Sequence, residues 1–207
     1  MYIPEQMAID SHNEQLRVIA DHGFALLVSS DLSLTHLPLV YEADERSQGH
    51  LLGHFARANR HWKSIDGEQV AAVFSGPHAY ISPAWYAHGP AVPTWNYVAV
   101  HVHGRLRIVD GDETDRILDR MLAHFEPELL IDRAIVTPEI QRQMRGAIVG
   151  FRIVIDRIEG KRKLGQQRSS DDQRGVVAGL RNSGRREAAD LLDYMSHTGL
   201  GLGTSNR

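Results

Sequence analysis

The sequence predicts a β-barrel with helical additions, a mainly β or α+β fold. Three observations predict it: several apolar or alternating runs of strand length, turn signals that close most of them, and helical patterns confined to the ends and one long connection. With 207 residues, the chain suits one domain or one domain with a small appendage, on a prior of roughly 150 residues per domain. Apolar residues make up 42 % and charged residues 24 %, so a sizeable core is within reach.

The elements follow in order. Asp10 to His22 reads as a helix: Ser11 and Glu14 form a capping box, and Gly23 supplies the stop. Phe24 to Val28 reads as a strand buried on both faces. Thr35 to Val40 and His50 to Phe55 give two more strands, and Ala56 to Trp62 a helical turn. Val70 to Phe74 is a short strand closed by Ser75-Gly76-Pro77. Thr94 to Val109 is the longest strand signal, with Tyr97, Ala99, His101 and His103 on one face and Gly104 marking a bulge or bend. Asp112 to Phe125 is amphipathic and helical, and Thr137-Pro138 opens another helix. Ile148 to Ile158 is the final strand. After Lys163 the pattern turns polar and then helical from Gln173 to Met195, and a Gly-rich tail from Thr198 is expected to fray. The expected division is a barrel domain over 1–165 and a helical extension with a flexible tail over 166–207.

Composition excludes several classes. The net charge of −3 makes the surface as a whole no magnet for nucleic acid, and the absence of cysteine removes disulfides, thiolate zinc sites and Cys nucleophiles. The start, Met1-Tyr2-Ile3-Pro4-Glu5, has neither the basic nor the apolar region of a leader, and no run reaches the ~20 apolar residues of a membrane span. A cytoplasmic location is the expectation. Dinucleotide, P-loop and nucleophile-elbow motifs do not occur. His101 and His103 have metal-ligand spacing, but no third ligand can be named, so no metal is assigned.

Three segments could carry chemistry. In Gly53-His54-Phe55-Ala56-Arg57-Ala58-Asn59, a guanidinium beside small residues could grip a phosphate, a group of about −1.5 to −2 charges. A solvated arginine beside a helix cap is the plain alternative. In Val92-Pro93-Thr94-Trp95-Asn96-Tyr97, a strand alternates aromatic and polar side chains. It could present backbone groups to a flat heterocycle, or simply fill a core; a buried Asn96 would need partners for its amide. Gly160-Lys161-Arg162-Lys163-Leu164-Gly165-Gln166-Gln167 gathers three cations that could neutralise a phosphate, stabilise negative charge on a reduced flavin, or face solvent.

These segments, with Met1-Tyr2-Ile3-Pro4 and Phe74-Ser75-Gly76-Pro77-His78-Ala79-Tyr80-Ile81-Ser82-Pro83-Ala84-Trp85-Tyr86, resemble the PaiB-type FMN-binding negative transcriptional regulators over nearly the whole chain, to about Leu180. The resemblance implies an FMN-binding split barrel related to pyridoxamine phosphate oxidase. It implies a homodimer with FMN in the groove between chains, and a role in repressing sporulation and degradative-enzyme genes. It implies cofactor contacts from His54, Arg57, Trp95, Asn96, Tyr97, Lys161, Lys163 and Gln166. No catalytic residue can be named. An FMN-dependent oxidoreductase or flavin reductase using NAD(P)H is the alternative function. Direct DNA contact through the arginines of the C-terminal segment stays open, with Asp171, Asp172, Glu187, Asp190 and Asp193 diluting their field. Two departures stand out: a short Ala87-His88-Gly89-Pro90-Ala91 loop, and Gly165-Gln166-Gln167 where relatives tend to carry Ser-Gln-Asn.

Overall fold

A computed structural model describes residues 1–131 and 134–204. Among them lies one seven-stranded sheet in the order β2-β1-β5-β6-β7-β4-β3. Its strands are β1 (Phe24–Ser29), β2 (Leu34–Pro38), β3 (Val40–Glu42), β4 (His50–Ala56), β5 (Gln69–Ile81), β6 (Thr94–Ile108) and β7 (Ile148–Lys163). The helices are α1 (His12–Asp21), α2 (Gly111–Phe125), α3 (Glu128–Ile131), α4 (Pro138–Arg145), α5 (Ser170–Asn182) and α6 (Arg186–Thr198). The fold is a split barrel with a helical C-terminal end. The chain divides into two compact units: Met1–Gln15, Ser75–Val100 and Glu159–Arg207 form the first, and Leu16–Phe74 and His101–Ile158 the second.

Five expectations change. β1 alternates buried with half-exposed positions instead of being buried on both faces. β5 does not stop at Phe74 but runs through Ser75-Gly76-Pro77 to Ile81, because Gly76 lies so close to Val98 that any side chain there would press on it. β7, not β6, is the longest strand, continuing from Ile158 to Lys163. The Gly-rich tail is docked up to Thr204: Gly203 N donates to Gln173 Oε1 at 2.9 Å, and Arg174 Nη1 donates to Gly203 O at 2.9 Å. The helical stretch after Gln173 is broken by Ser183-Gly184-Arg185, with Gly184 in the left-handed region at φ +65°.

The second unit is organised by antiparallel pairing. β4 matches β7 from His50↔Val154 to Ala56↔Ile148, and β3 matches β4 from Val40↔Leu52 to Glu42↔His50. This register brings the Phe55 and Phe151 rings to 4.7 Å. At Gly53, a Cβ would stand 2.7 Å from Leu39 and 2.8 Å from Phe151, so only glycine lets these groups close over the strand. Gly104 has a similar role: β6 runs straight through it, and a side chain there would overlap the Val154 carbonyl. The apolar stripe of α2 follows its 3.6-residue period, and Ile117 and Met121 bury against Val40 and Leu52. Its opposite edge supplies Arg116 and Arg120, which flank Glu42 at 3.5 and 3.1 Å. At α4, Thr137 caps the helix by accepting from Ile140 N at 3.3 Å.

A buried polar relay joins β1, β2 and the 3-10 turn Arg60–Lys63. Ser29 Oγ donates to Asp31 Oδ1 at 2.5 Å and lies 2.7 Å from His61 Nε2. Asn59 Nδ2 donates to Thr35 Oγ1 at 3.2 Å, and that hydroxyl lies 2.8 Å from His61 Nδ1. The hydrogens can be placed one consistent way. Nε2 donates to Ser29, and the Thr35 hydroxyl donates to Nδ1, so His61 is a neutral imidazole with both nitrogens satisfied. Burial lowers the His61 pKa, with the Asp31 carboxylate pulling weakly the other way. Burial likewise lowers that of His54. The Ser29 hydroxyl, then the Ser33 N–H and hydroxyl, hold Asp31 down at about 2.

A histidine whose folded pKa is lowered binds its proton more tightly when unfolded. Its stabilisation is therefore complete above the unfolded value of 6.5 and lost as pH falls below it. Asp31 contributes stability above 3.8 that is lost as pH falls towards 2. The melting temperature is expected to fall in two stages on acidification, below pH 6.5 and below pH 3.8. In His61→Gln the first stage should shrink, with His54 supplying the remainder. Ser29→Ala, which leaves His61 Nε2–H without its acceptor, should cost about 1–3 kcal/mol in urea unfolding at pH 7.

Candidate functional site

In the first unit the N-terminal segment extends the sheet at the end of β7. Ala8 bridges to Lys161, and Ile9 N donates to Gly160 O at 3.0 Å. A Cβ on Gly160 would lie 2.7 Å from that of Ile9, so the glycine permits this pairing. Glu14 holds the same seam, pairing with Arg162 and accepting from the Tyr194 hydroxyl at 2.8 Å.

The pairing fixes two ammonium groups. Lys161 is 7 % exposed; its Nζ donates to Tyr2 O at 2.9 Å and lies 5.3 Å from the ring centres of both Tyr2 and Tyr97. The rings' negative faces partly replace the water the cation has lost. Lys163 Nζ donates to Thr94 Oγ1 and, at 2.9 Å, to Trp95 O. Burial lowers the Lys163 pKa, opposed by Tyr97 and reinforced by the nearby cations Lys161 and Arg168. The ammonium is thus poorly solvated and close to like charge, a state that an anion would relieve.

Between these strands, Asn96 is 3 % exposed, yet its amide makes no hydrogen bond with any described residue. Its Nδ2 lies 3.7 Å from where a Cβ on Gly165 would stand, and Gly165 turns the chain at φ +78°. Its amide atoms are not among the fully buried unpaired ones, so they keep some access to solvent and can take a partner from outside the chain. Trp95 is 51 % exposed, edge-on to Tyr80 at 6.1 Å. Gln166 is already committed: its Oε1 accepts from Leu164 N at 2.8 Å, and its Nε2 donates to Gln6 O and Arg162 O at 2.9 Å each. It braces the turn that carries Gly165.

Six of the eight expected residues, Trp95, Asn96, Tyr97, Lys161, Lys163 and Gln166, thus fall in this unit. His54 and Arg57 belong to the second unit and have partners there. Arg57 Nε donates to Gly146 O and Nη2 to Ile148 O, both at 2.7 Å, which ties the end of β4 to the start of β7. His54 Nδ1 sits 3.4 Å from Met121 Sδ, and burial favours its neutral form. Nothing local to either residue signals that Tyr2 reaches Lys161, 159 positions away. Nor does the sequence signal the notch in α5. Side chains at Gly175 and Gly179 would overlap the Trp85 carbonyl and ring, so these two glycines seat the 3-10 turn Pro83–Trp85 on the helix. Arg168 stacks over Tyr86 at 4.4 Å, and His88 N donates to Asp172 Oδ1 at 3.1 Å.

Two ammonium groups, an unfilled buried amide and a half-exposed indole fit a phosphorylated heteroaromatic cofactor. Over residues 1–157 the chain matches the family model described as "Putative FMN-binding domain". It is 32 % identical over 203 residues to "Protease synthase and sporulation protein PAI 2" of Bacillus subtilis (strain 168), covering 94 % of this chain and 96 % of that protein. A protein of Emericella nidulans is 29 % identical over 192 residues, covering 72 % of this chain and 75 % of that one. Among solved structures, the flavocytochrome Anf3 from Azotobacter vinelandii superposes with a TM-score of 0.58 at 16 % identity, covering 78 % of this chain and 72 % of that one. The FAD and heme binding protein from Mycobacterium smegmatis gives 0.58 at 13 % identity, covering 76 % and 73 %. These likenesses show the fold, while the sequence match shows the family: the chain belongs to the FMN-binding domain family that its residues 1–157 match, in the company of PAI 2, and FMN is its cofactor.

Proposed function

We propose that the protein works as an FMN-binding homodimer with a regulatory role, as its resemblance to the PaiB-type negative transcriptional regulators implies. The carrying observation is Asn96, 3 % exposed and without a hydrogen bond among the described residues, next in sequence to Trp95, whose carbonyl accepts from Lys163 Nζ at 2.9 Å. In this reading Asn96 meets the polar edge of the isoalloxazine, Trp95 and Tyr97 pack near it, and Lys161 and Lys163 supply positive charge. Bound FMN contributes redox chemistry of its own. Arg57, two of whose nitrogens are spent on carbonyls, and His54, biased to neutrality, receive no part.

A second copy of the chain suits the surface of this unit, where Tyr2, Val92 and Trp95 are 82, 68 and 51 % exposed. Direct DNA contact has little support: Arg174 is paired with Asp171, and Glu187, Asp190 and Asp193 share α6 with Arg186. No helix among the described residues is long and apolar enough to cross a membrane.

Titrating the purified chain with FMN should give a saturable change in the flavin absorption band, and light scattering should give twice 23.2 kDa. No binding at micromolar FMN would sink the reading. Asn96→Ala should weaken FMN by about tenfold or more, since one to two charge-assisted or amide hydrogen bonds are lost. Because Lys163 titrates below the ordinary 10.5, affinity should fall as pH rises and do so earlier than a free lysine would predict. In Lys163→Gln that alkaline limb should flatten.

A further inference from the structure

The first unit contains a second recess, separate in its polar groups from the flavin residues above. It lies between the end of β5, the 3-10 turn Pro83–Trp85 and the turn joining α5 to α6, and encloses about 260 Å³. That is the liquid volume of roughly nine waters, room for a small molecule and not for a second nucleotide. Tyr80 and Trp85 form its aromatic wall. Ser183, Arg185, Glu187 and Ala188 form the opposite one. The opposite wall lies wholly beyond residue 157, where the match to the family model ends.

Its polar groups are available. The Tyr80 hydroxyl makes no hydrogen bond with a described residue, although its ring is held edge-on to Trp95. Arg185 and Glu187 face each other at 4.0 Å, with side chains 62 and 44 % exposed. At that length and exposure the pair holds itself together weakly, so each partner is free to engage a ligand group. The wall is rigid where it must be: Trp85 is seated against Gly175 and Gly179, and Ser183 Oγ donates to Leu180 O at 2.8 Å.

An aromatic wall facing one cation and one anion selects a ligand with a ring at one end and both charges at the other. We infer that this recess binds a small aromatic zwitterion, of the aromatic α-amino-acid class. The ring lies against Tyr80 and Trp85, the carboxylate meets Arg185 and the Tyr80 hydroxyl, and the ammonium meets Glu187. A simple aromatic carboxylate would leave Glu187 facing its anion, and a simple aromatic amine would leave Arg185 facing its cation.

Calorimetric titration of the full chain tests this, with L-phenylalanine, 3-phenylpropionate and 2-phenylethylamine as probes. Phenylalanine should bind at one site per chain, and the two truncated probes about tenfold more weakly or worse, each having lost one charge-assisted contact. Arg185→Ala and Glu187→Gln should each weaken phenylalanine by a similar factor while the FMN titration stays unchanged. That unchanged titration shows that the exposed substitutions leave the fold intact and separates this site from the flavin reading. No binding of phenylalanine, equal binding of all three probes, or binding indifferent to both substitutions would each overturn the inference.

Discussion

A lysine removed from water without a carboxylate to meet it is the constraint around which the first unit is arranged. Lys161 is almost wholly buried, makes no ion pair among the described residues, and rests on one carbonyl and two phenol rings. Such a cation is tolerable only where every neighbour is fixed, because the desolvation penalty falls due whenever a partner drifts away. The fixing comes from far along the chain. Tyr2 must be carried to the sheet by the Ala8 bridge, Gly160 must lack a side chain, and Glu14 must hold Arg162. The result is a buried positive charge that no carboxylate among the described residues neutralises.

Much of this was legible in the residues because it is periodic or local. The alternation in Thr94 to Val109, the apolar stripe of Asp112 to Phe125 and the Thr137-Pro138 start each reappear within a few positions of where patterning puts them. The Lys-rich segment and the Trp95-Asn96-Tyr97 run were both marked by composition, and they fall in one unit. The failures share a cause. Ser75-Gly76-Pro77 carries a strong local turn signal, but Gly76 is there because Val98 on another strand comes too close for a side chain. The continuation of β7 past Ile158 depends on a partner from the other end of the chain. For Arg57, nothing in its own segment shows that the carbonyls of Gly146 and Ile148 take two of its nitrogens.

The C-terminal helices show the same trade in another form. Glycine inside a helix costs about 1 kcal/mol relative to alanine, and α5 carries two, one turn apart. Each is repaid by contact with Trp85, which closes against the helix only because no Cβ intervenes. The short loop after Trp85 is then steadied by Asp172 at His88 N and by Arg168 over Tyr86. The expected helical extension thus supplies the seat for the turn that follows β5.

The first unit draws on residues 1–15, 75–100 and 159–204, so its opening and closing stretches are separated by most of the message that encodes them. While the ribosome is still working, Tyr2 has no Lys161 to cover and Trp85 has no α5 to rest on. Packing of the first unit can therefore finish only after these last helices are made, and a chain stalled before Gly160 would lack Lys161, Lys163 and α5 however well its middle had folded.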